Sequence, residues 1–330
     1  MAISLPRPGR RQLLGAAAAL AACWQLPARA QAFPSRPITV INPFAAGGIT
    51  DLMARLLSPR LTAQLGQPIV VDSKPGAGAA IGAVYVARSA PDGHTLLLGS
   101  STAFTINPHL NAKLPYDPFR DFVPVSSVLS VPNVLVAKPG FAAHNLSEFI
   151  ALAKDKPGKL TYGSYGNGTS THLIMEHLKH EAGIDVLHVP YKNGSTAVMA
   201  LLGGEVDVSF DSLYGAMPRI KAGQVMPLAM MQPERSPGLP NVMSTTDAGY
   251  GKVGYTAWLA FFVPAATPPA VVQALSAAVR SAVEAPEVRA KLAEMGCDPL
   301  LLSNETFGRM LRAESEQMRS IITLAKIKVE

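Results

Sequence analysis

Three short stretches hold residues whose types and spacing suit the capture of an anion. The first is Pro43-Phe44-Ala45-Ala46-Gly47-Gly48-Ile49-Thr50-Asp51. Two glycines reach backbone conformations closed to other residues, and Thr50 or Asp51 is placed to cap a following helix. Such a loop aims amide N–H groups and the positive end of a helix at whatever lies above it. A tight turn with an N-cap would read the same way. The second is Tyr162-Gly163-Ser164-Tyr165-Gly166-Asn167-Gly168-Thr169-Ser170-Thr171-His172, where hydroxyls and the amides of 166–170 can form a nest for an anion. In the third, Val206-Asp207-Val208-Ser209-Phe210-Asp211-Ser212, the carboxylate of Asp211 ends a strand. There it would bond a ligand, hold a water or cap the helix after it.

Competing chemistries fit less well. Gly76-Ala77-Gly78-Ala79-Ala80-Ile81-Gly82 misses the dinucleotide spacing by one residue, and no acid ends the next strand to hold a ribose. Ser164 stands in half of a nucleophile elbow, which keeps a hydrolase using Ser164 and a histidine as an alternative. His172, Glu176 and His180 share a helix stripe about 12 Å long, too long for one ion, so a solvated face is expected and no metal. No catalytic set and no cofactor motif emerges.

These stretches need elements to position them. The chain has 330 residues, 48% hydrophobic and 16% charged, with mean hydropathy +0.21, so it can bury a large core. The net charge of +6 owes much to Arg7, Arg10, Arg11 and Arg29, and without them it is about +2. No basic cluster is interleaved with aromatics, which argues against nucleic acid. Residues 1–32 read as a signal peptide. Arg10-Arg11 precede the apolar run Leu13–Cys23, and cleavage is expected near Ala32, with a lipid on Cys23 as the alternative. Cys297 then has no disulfide partner and reads as a small buried residue.

From Pro37 onward, β-branched runs alternate with amphipathic helices. Strands are expected at Ile38–Ile41, Pro68–Asp72 and Thr95–Gly99, with helices between them, a βαβαβ pattern. Strand-like runs follow at Val123–Leu129 and Val134–Ala137. A second series runs from helix Leu146–Lys154 to strand Met226–Met231. Strand Ala257–Val263 and closing helices come after it. The fold class is α/β. Domain 1 is expected to comprise residues 33–130 plus 256–330, and domain 2 residues 131–255, each a mainly parallel sheet with flanking helices. A chain that crosses twice makes a hinged clamshell, with ligand held in the cleft beyond the strands' carboxyl ends.

Longer strings carry a resemblance. Ile38–Arg55, Asp72–Gly82, Pro91–Leu97, Leu114–Pro118, Pro157–Tyr162, the loop 163–172, His188–Lys192, Leu201–Gly204, Ile220–Gly223 and Pro264–Pro268 together resemble the Bug-type extracytoplasmic receptors of tripartite tricarboxylate transporters. The resemblance covers the chain after residue 32. It departs at Asp72-Ser73-Lys74 and at Gly76-Ala77-Gly78-Ala79, in a turn. It implies a periplasmic-binding-protein clamshell that captures a small organic carboxylate and delivers it to membrane permease subunits, as an exported monomer. Sensing for a signalling receptor is a further alternative. Carried over by position, the ligand-binding residues are Phe44, Ala45, Gly47, Gly48, Thr50 and Asp51, then Ser164, Gly166, Asn167, Thr169, Ser170 and His172, with Asp211 nearby.

Overall fold

The computed structural model describes residues 33–325 and 327. The export segment expected over 1–32 lies outside them. The described chain builds two sheets. The first half gives β1 (Ile38–Asn42), α1 (Ile49–Leu65), β2 (Ile69–Ser73), α2 (Ala80–Ala87) and β3 (Thr95–Ser100). A π-helical turn (Thr102–Ile106) and the short α3 (Asn107–Leu110) lead to β4 (Phe122–Val131). Then come β5 (Asn133–Ala137), α4 (Leu146–Asp155), β6 (Thr161–Ser164), α5 (Ser170–Ala182), β7 (Leu187–Pro190) and α6 (Gly194–Gly203). They are followed by β8 (Val208–Ser212), α7 (Leu213–Lys221), β9 (Met226–Met230) and β10 (Ala257–Pro264). The chain ends with α8 (Pro269–Glu284), α9 (Pro286–Glu294), β11 (Asp298–Pro299) and α10 (Asn304–Leu324).

The first sheet has the order β11-β4-β10-β3-β1-β2 and the second β7-β6-β8-β5-β9. Both are mixed. Strands β1, β2 and β3 run parallel, as do β6, β7 and β8. Strands β10, β4 and β11 join the first sheet antiparallel, and β5 joins β8 and β9 antiparallel. The sequence pattern suggested more parallel pairing. The antiparallel half arises where strands pass between sheets without a crossover helix. Strand β5 enters the second sheet directly from β4 across Pro132, and β10 enters the first sheet from β9 with no helix between; each runs against its neighbours, whereas β4 and β9 keep the direction of the parallel strands.

Alternation along each strand fills both faces. Ile38, Val40, Leu96, Leu98 and Phe261 pack on one side of the first sheet, and Ile41, Leu97, Trp258 and Phe262 on the other. In the second sheet Leu135 and Phe210 face one core and Val134 and Val136 the other. Cys297 is buried in the first core, and burial pushes its thiol up to about 12. Helix α10 touches both sheets' cores. Phe307 and Leu311 pack with Trp258 and Phe262, whereas Met318, Ile321 and Ile322 pack with the second sheet's cluster. Between these halves Glu314 accepts hydrogen bonds from Thr105 Oγ1 (2.6 Å) and Trp258 Nε1 (2.9 Å), and Ser315 Oγ lies 2.8 Å from His109 Nε2. Burial raises the Glu314 carboxyl to about 7, against the opposing pull of those hydrogen bonds.

Two expectations follow. A Cβ on Gly82 would lie 2.8 Å from Pro43 Cβ and 2.9 Å from its Cα. Gly82→Ala must therefore push α2 off the loop after β1, and urea denaturation should show a loss of about 1–3 kcal/mol. Glu314 binds its proton more tightly folded than unfolded, so stability should fall as pH rises from about 4.5 to about 7. In Glu314→Gln that decline should be smaller when stability is measured across the same range.

Candidate ligand-binding site

The first candidate loop leaves the carboxyl end of β1. Register sets Asn42 beside Ser73, and Asn42 Nδ2 donates to Ser73 Oγ at 3.1 Å. The other side of the buried Asn42 amide accepts from Phe44 N–H, which starts the turn. Gly47 takes φ +85°, a left-handed conformation that glycine adopts without strain. Gly48 is the N-cap of α1, and no side chain caps the helix. The sequence pointed to Thr50 or Asp51 as the cap. Instead Asp51 lies one turn in and reaches back to accept from Gly47 N–H at 3.0 Å while pairing with Arg55. Arg55 first, then the Gly47 amide, holds this carboxyl below the usual range. Thr50 and Asp51 are buried, Phe44 is half-buried, and Ala45, Gly47 and Gly48 are exposed. Among the described residues, no protein group accepts from the amides of Ile49, Thr50 or Asp51.

The second loop leaves β6, whose neighbours β7 and β8 end at the same edge because all three are parallel. Its internal bonds are dense. Ser164, fully buried, accepts from Gly166 N–H at 3.1 Å, and its Oγ lies 2.6 Å from His188 Nε2. Tyr165 N–H donates to Thr171 Oγ1, and Thr169 Oγ1 donates to Gly166 O. Gly168 N–H donates to His172 Nδ1 at 3.0 Å. The amides of Gly166, Gly168 and Thr169 are thus already partnered, and the nest expected over 166–170 is narrower. Among the described residues, the amides of Asn167, Ser170, Thr171 and His172 have no protein acceptor. Helix α5 also begins without a side-chain cap, at Thr169. Helices α2, α3, α8 and α9 likewise begin without a side-chain cap, whereas α4, α6, α7 and α10 are capped by Asn145, Asn193, Ser212 and Ser303.

A ring column supports this loop. His188 stacks on His172 at 4.0 Å between centroids and on Tyr162 at 4.8 Å. Tyr162 donates to Glu176, which also pairs with Lys179. Burial, then His172 and Lys179, lowers His188 to about 4, and burial lowers His172. The stripe His172–Glu176–His180 is therefore not a solvated face. Only His180 is exposed, because β6 and β7 draw the other two inward. Among the described residues no three metal-ligating side chains converge. Asp211 is buried and bonded to Arg219 at 3.0 Å, and burial raises it to about 6 in spite of that partner. It does not cap the next helix; Ser212 does.

Tyr165 of the second loop lies close enough to Asp211 to be raised by its charge, after burial, whereas residues 43–51 are brought together by themselves. No hydrogen bond or ion pair among the described residues joins residues 43–51, residues 163–172 and Asp211 to one another. Sequence reasoning missed Asn42, Tyr162 and His188. For His188 the available signal was a histidine inside a short strand, in register with Tyr162.

Known proteins resemble the chain along most of its length. A UPF0065 protein of Bordetella pertussis is 41% identical over 295 residues, covering 89% of this chain and 91% of that protein. A solved structure described as a periplasmic transporter has a TM-score of 0.81 at 37% identity, covering 91% of this chain and all (100%) of its own. A protein of R. palustris, solved with adipate, has a TM-score of 0.81 at 30% identity, covering 90% and 99%. The family model described as tripartite tricarboxylate transporter family receptor matches residues 53–327. The chain therefore belongs to the tripartite tricarboxylate transporter receptor family, whose members are solute-binding proteins.

Proposed function

We propose that this receptor binds one carboxylate of a small organic acid between the loops after β1 and β6. The observation that carries the reading is the pair of uncapped helix N-termini, α1 and α5, at strand carboxyl ends of two different sheets. Neither loop contains lysine or arginine. The anion is met by amides, hydroxyls and helix ends. Charge-assisted hydrogen bonds of this kind contribute about 1.5–3 kcal/mol each, and a helix end roughly 0.3–1 kcal/mol. Ala45, Gly47, Gly48 and Thr50, with Gly166, Asn167, Thr169 and Ser170, present the contact surface, and Phe44 forms its apolar wall. Asp51, Ser164, His172 and Asp211 hold the loops from behind. Residues 33–130 with 256–330 close against 131–255. The protein works in the periplasm as an exported monomer, without a cofactor, and hands its ligand to membrane permease subunits. The R. palustris relative's adipate supports the ligand class.

The Ser164–His188 contact favours one other reading, a hydrolase. Three observations count against it. Ser164 has no exposed surface. His188, lowered to about 4, is a weak base near neutral pH. Among the described residues no carboxylate bonds its second ring nitrogen. The ligand should leave unchanged.

Calorimetric titration with adipate, succinate, malate and citrate tests the proposal. At least one should bind and be recovered intact by mass spectrometry; turnover, or silence across the panel, would overturn it. Gly48→Asp is the sharper variant. Gly48 has φ −80° and ψ 174°, and a Cβ there meets only Ala45 O at 3.7 Å, so the side chain fits. Its carboxylate would cap α1 in place of the ligand. Stability should hold or rise by a few tenths of a kcal/mol, while affinity drops by about tenfold or more. Unchanged affinity in a capped variant would place the anion elsewhere.

A further inference from the structure

We propose that His188 is a positioning residue of the carboxylate site, holding the 165–169 loop through Ser164 so that the amides of Asn167 and Ser170 stay free for ligand. This rests on the binding reading above and adds a residue that touches no ligand itself. The hydroxyl of Ser164 has one proton and two lone pairs. One lone pair takes Gly166 N–H at 3.1 Å. The 2.6 Å contact with His188 Nε2 takes either the proton or the second lone pair, and in the latter case the proton goes to Gly166 O at 3.3 Å. Either arrangement leaves this buried hydroxyl occupied within the loop. Its task is to turn the Gly166 amide inward, which the left-handed φ of +122° at Gly166 permits.

The imidazole can hold Ser164 because rings bracket it on both faces. Tyr162 stacks on one face and His172 on the other, with ring planes inclined by 20° and 10°. Both outer rings are tethered, Tyr162 by Glu176 and His172 by Gly168 N–H. The column therefore grips the loop twice, at Gly166 through His188 and at Gly168 through His172. The titratable and charged groups around His188 are His172, Tyr162, Glu176 and Lys179. Two imidazolium rings 4.0 Å apart would repel, so the grip belongs to the neutral column.

Two variants separate hydrogen bonding from packing. His188→Phe keeps a ring between Tyr162 and His172 but removes the nitrogen. His188→Gln restores a polar atom near the position of Nε2. Amide hydrogen exchange on ligand-free protein gives the first readout. The Gly166 amide should exchange about tenfold faster or more in His188→Phe, with the β10 amides unchanged, and within about threefold of wild type in His188→Gln. Adipate titration gives the second. Affinity should fall by about tenfold in His188→Phe and recover in His188→Gln. Equal Gly166 protection in wild type and His188→Phe would overturn the proposal, as would a His188→Gln protein that behaves like His188→Phe. If wild type binds no carboxylate of the panel, the functional reading fails, and exchange at Gly166 alone decides whether His188 holds the loop.

Discussion

A carboxylate taken out of water must be met by donors that the protein has not already paired, and on the proposed reading this constraint falls on the loops after β1 and β6. A folded chain ordinarily satisfies its buried amides, and helix N-termini are where it keeps spare ones. Here four helices spend theirs on Asn145, Asn193, Ser212 and Ser303. Helices α1 and α5 are among those that begin without a side-chain cap, at Gly48 and Thr169, and both follow glycine-bearing loops at strand carboxyl ends. At Gly48 the omission forgoes roughly a few tenths of a kcal/mol of capping energy. The surrounding bonds, Asp51 to Gly47 and His172 to Gly168, fix the loops while leaving those first-turn amides open.

The same logic explains the electrostatics. Titratable groups around the loops are used up inside the protein. Asp51 has Arg55, Asp211 has Arg219, and Glu176 has Lys179 and the Tyr162 hydroxyl. Burial moves Asp211 up and His188 down, so both are drawn toward their neutral forms. An anion at the proposed site would face an array of dipoles. Oriented amides need no reorganisation when the anion arrives, and they are less screened by salt than exposed charges.

Much of this was legible in the sequence, for identifiable reasons. The glycine pair at 47–48 and the string Gly166-Asn167-Gly168 mark turns whose left-handed φ values at Gly47, Gly166 and Gly168 are real. Short, nearly continuous apolar runs in Ile38–Asn42 and Thr95–Ser100 mark the parallel strands. What was not legible depends on contacts distant in the chain. The reversed strands include β5 and β10, each the first laid down after the chain crosses from the other sheet, and no local propensity encodes that crossing. Which residue caps a helix depends on one residue of offset, so Gly48 took the place given to Thr50 or Asp51, and Ser212 that given to Asp211. His188 meets Ser164 across 24 residues, through strand pairing.

The uneven threading of the two sheets has a consequence for the order in which the molecule assembles. All five strands of the second sheet lie within 133–230, a continuous stretch, and can pair without the rest of the chain. The first sheet places β10 between β3 and β4, so its centre stays open until residues beyond 256 arrive. Long loops must then close before native contacts compensate for their entropy, which makes such pairing slow. Helix α10 comes last, and Met318 and Ile321 find their partners only on a second sheet already formed. The second sheet's strands thus form one unbroken run of chain, and the first sheet is completed by a segment that returns to it.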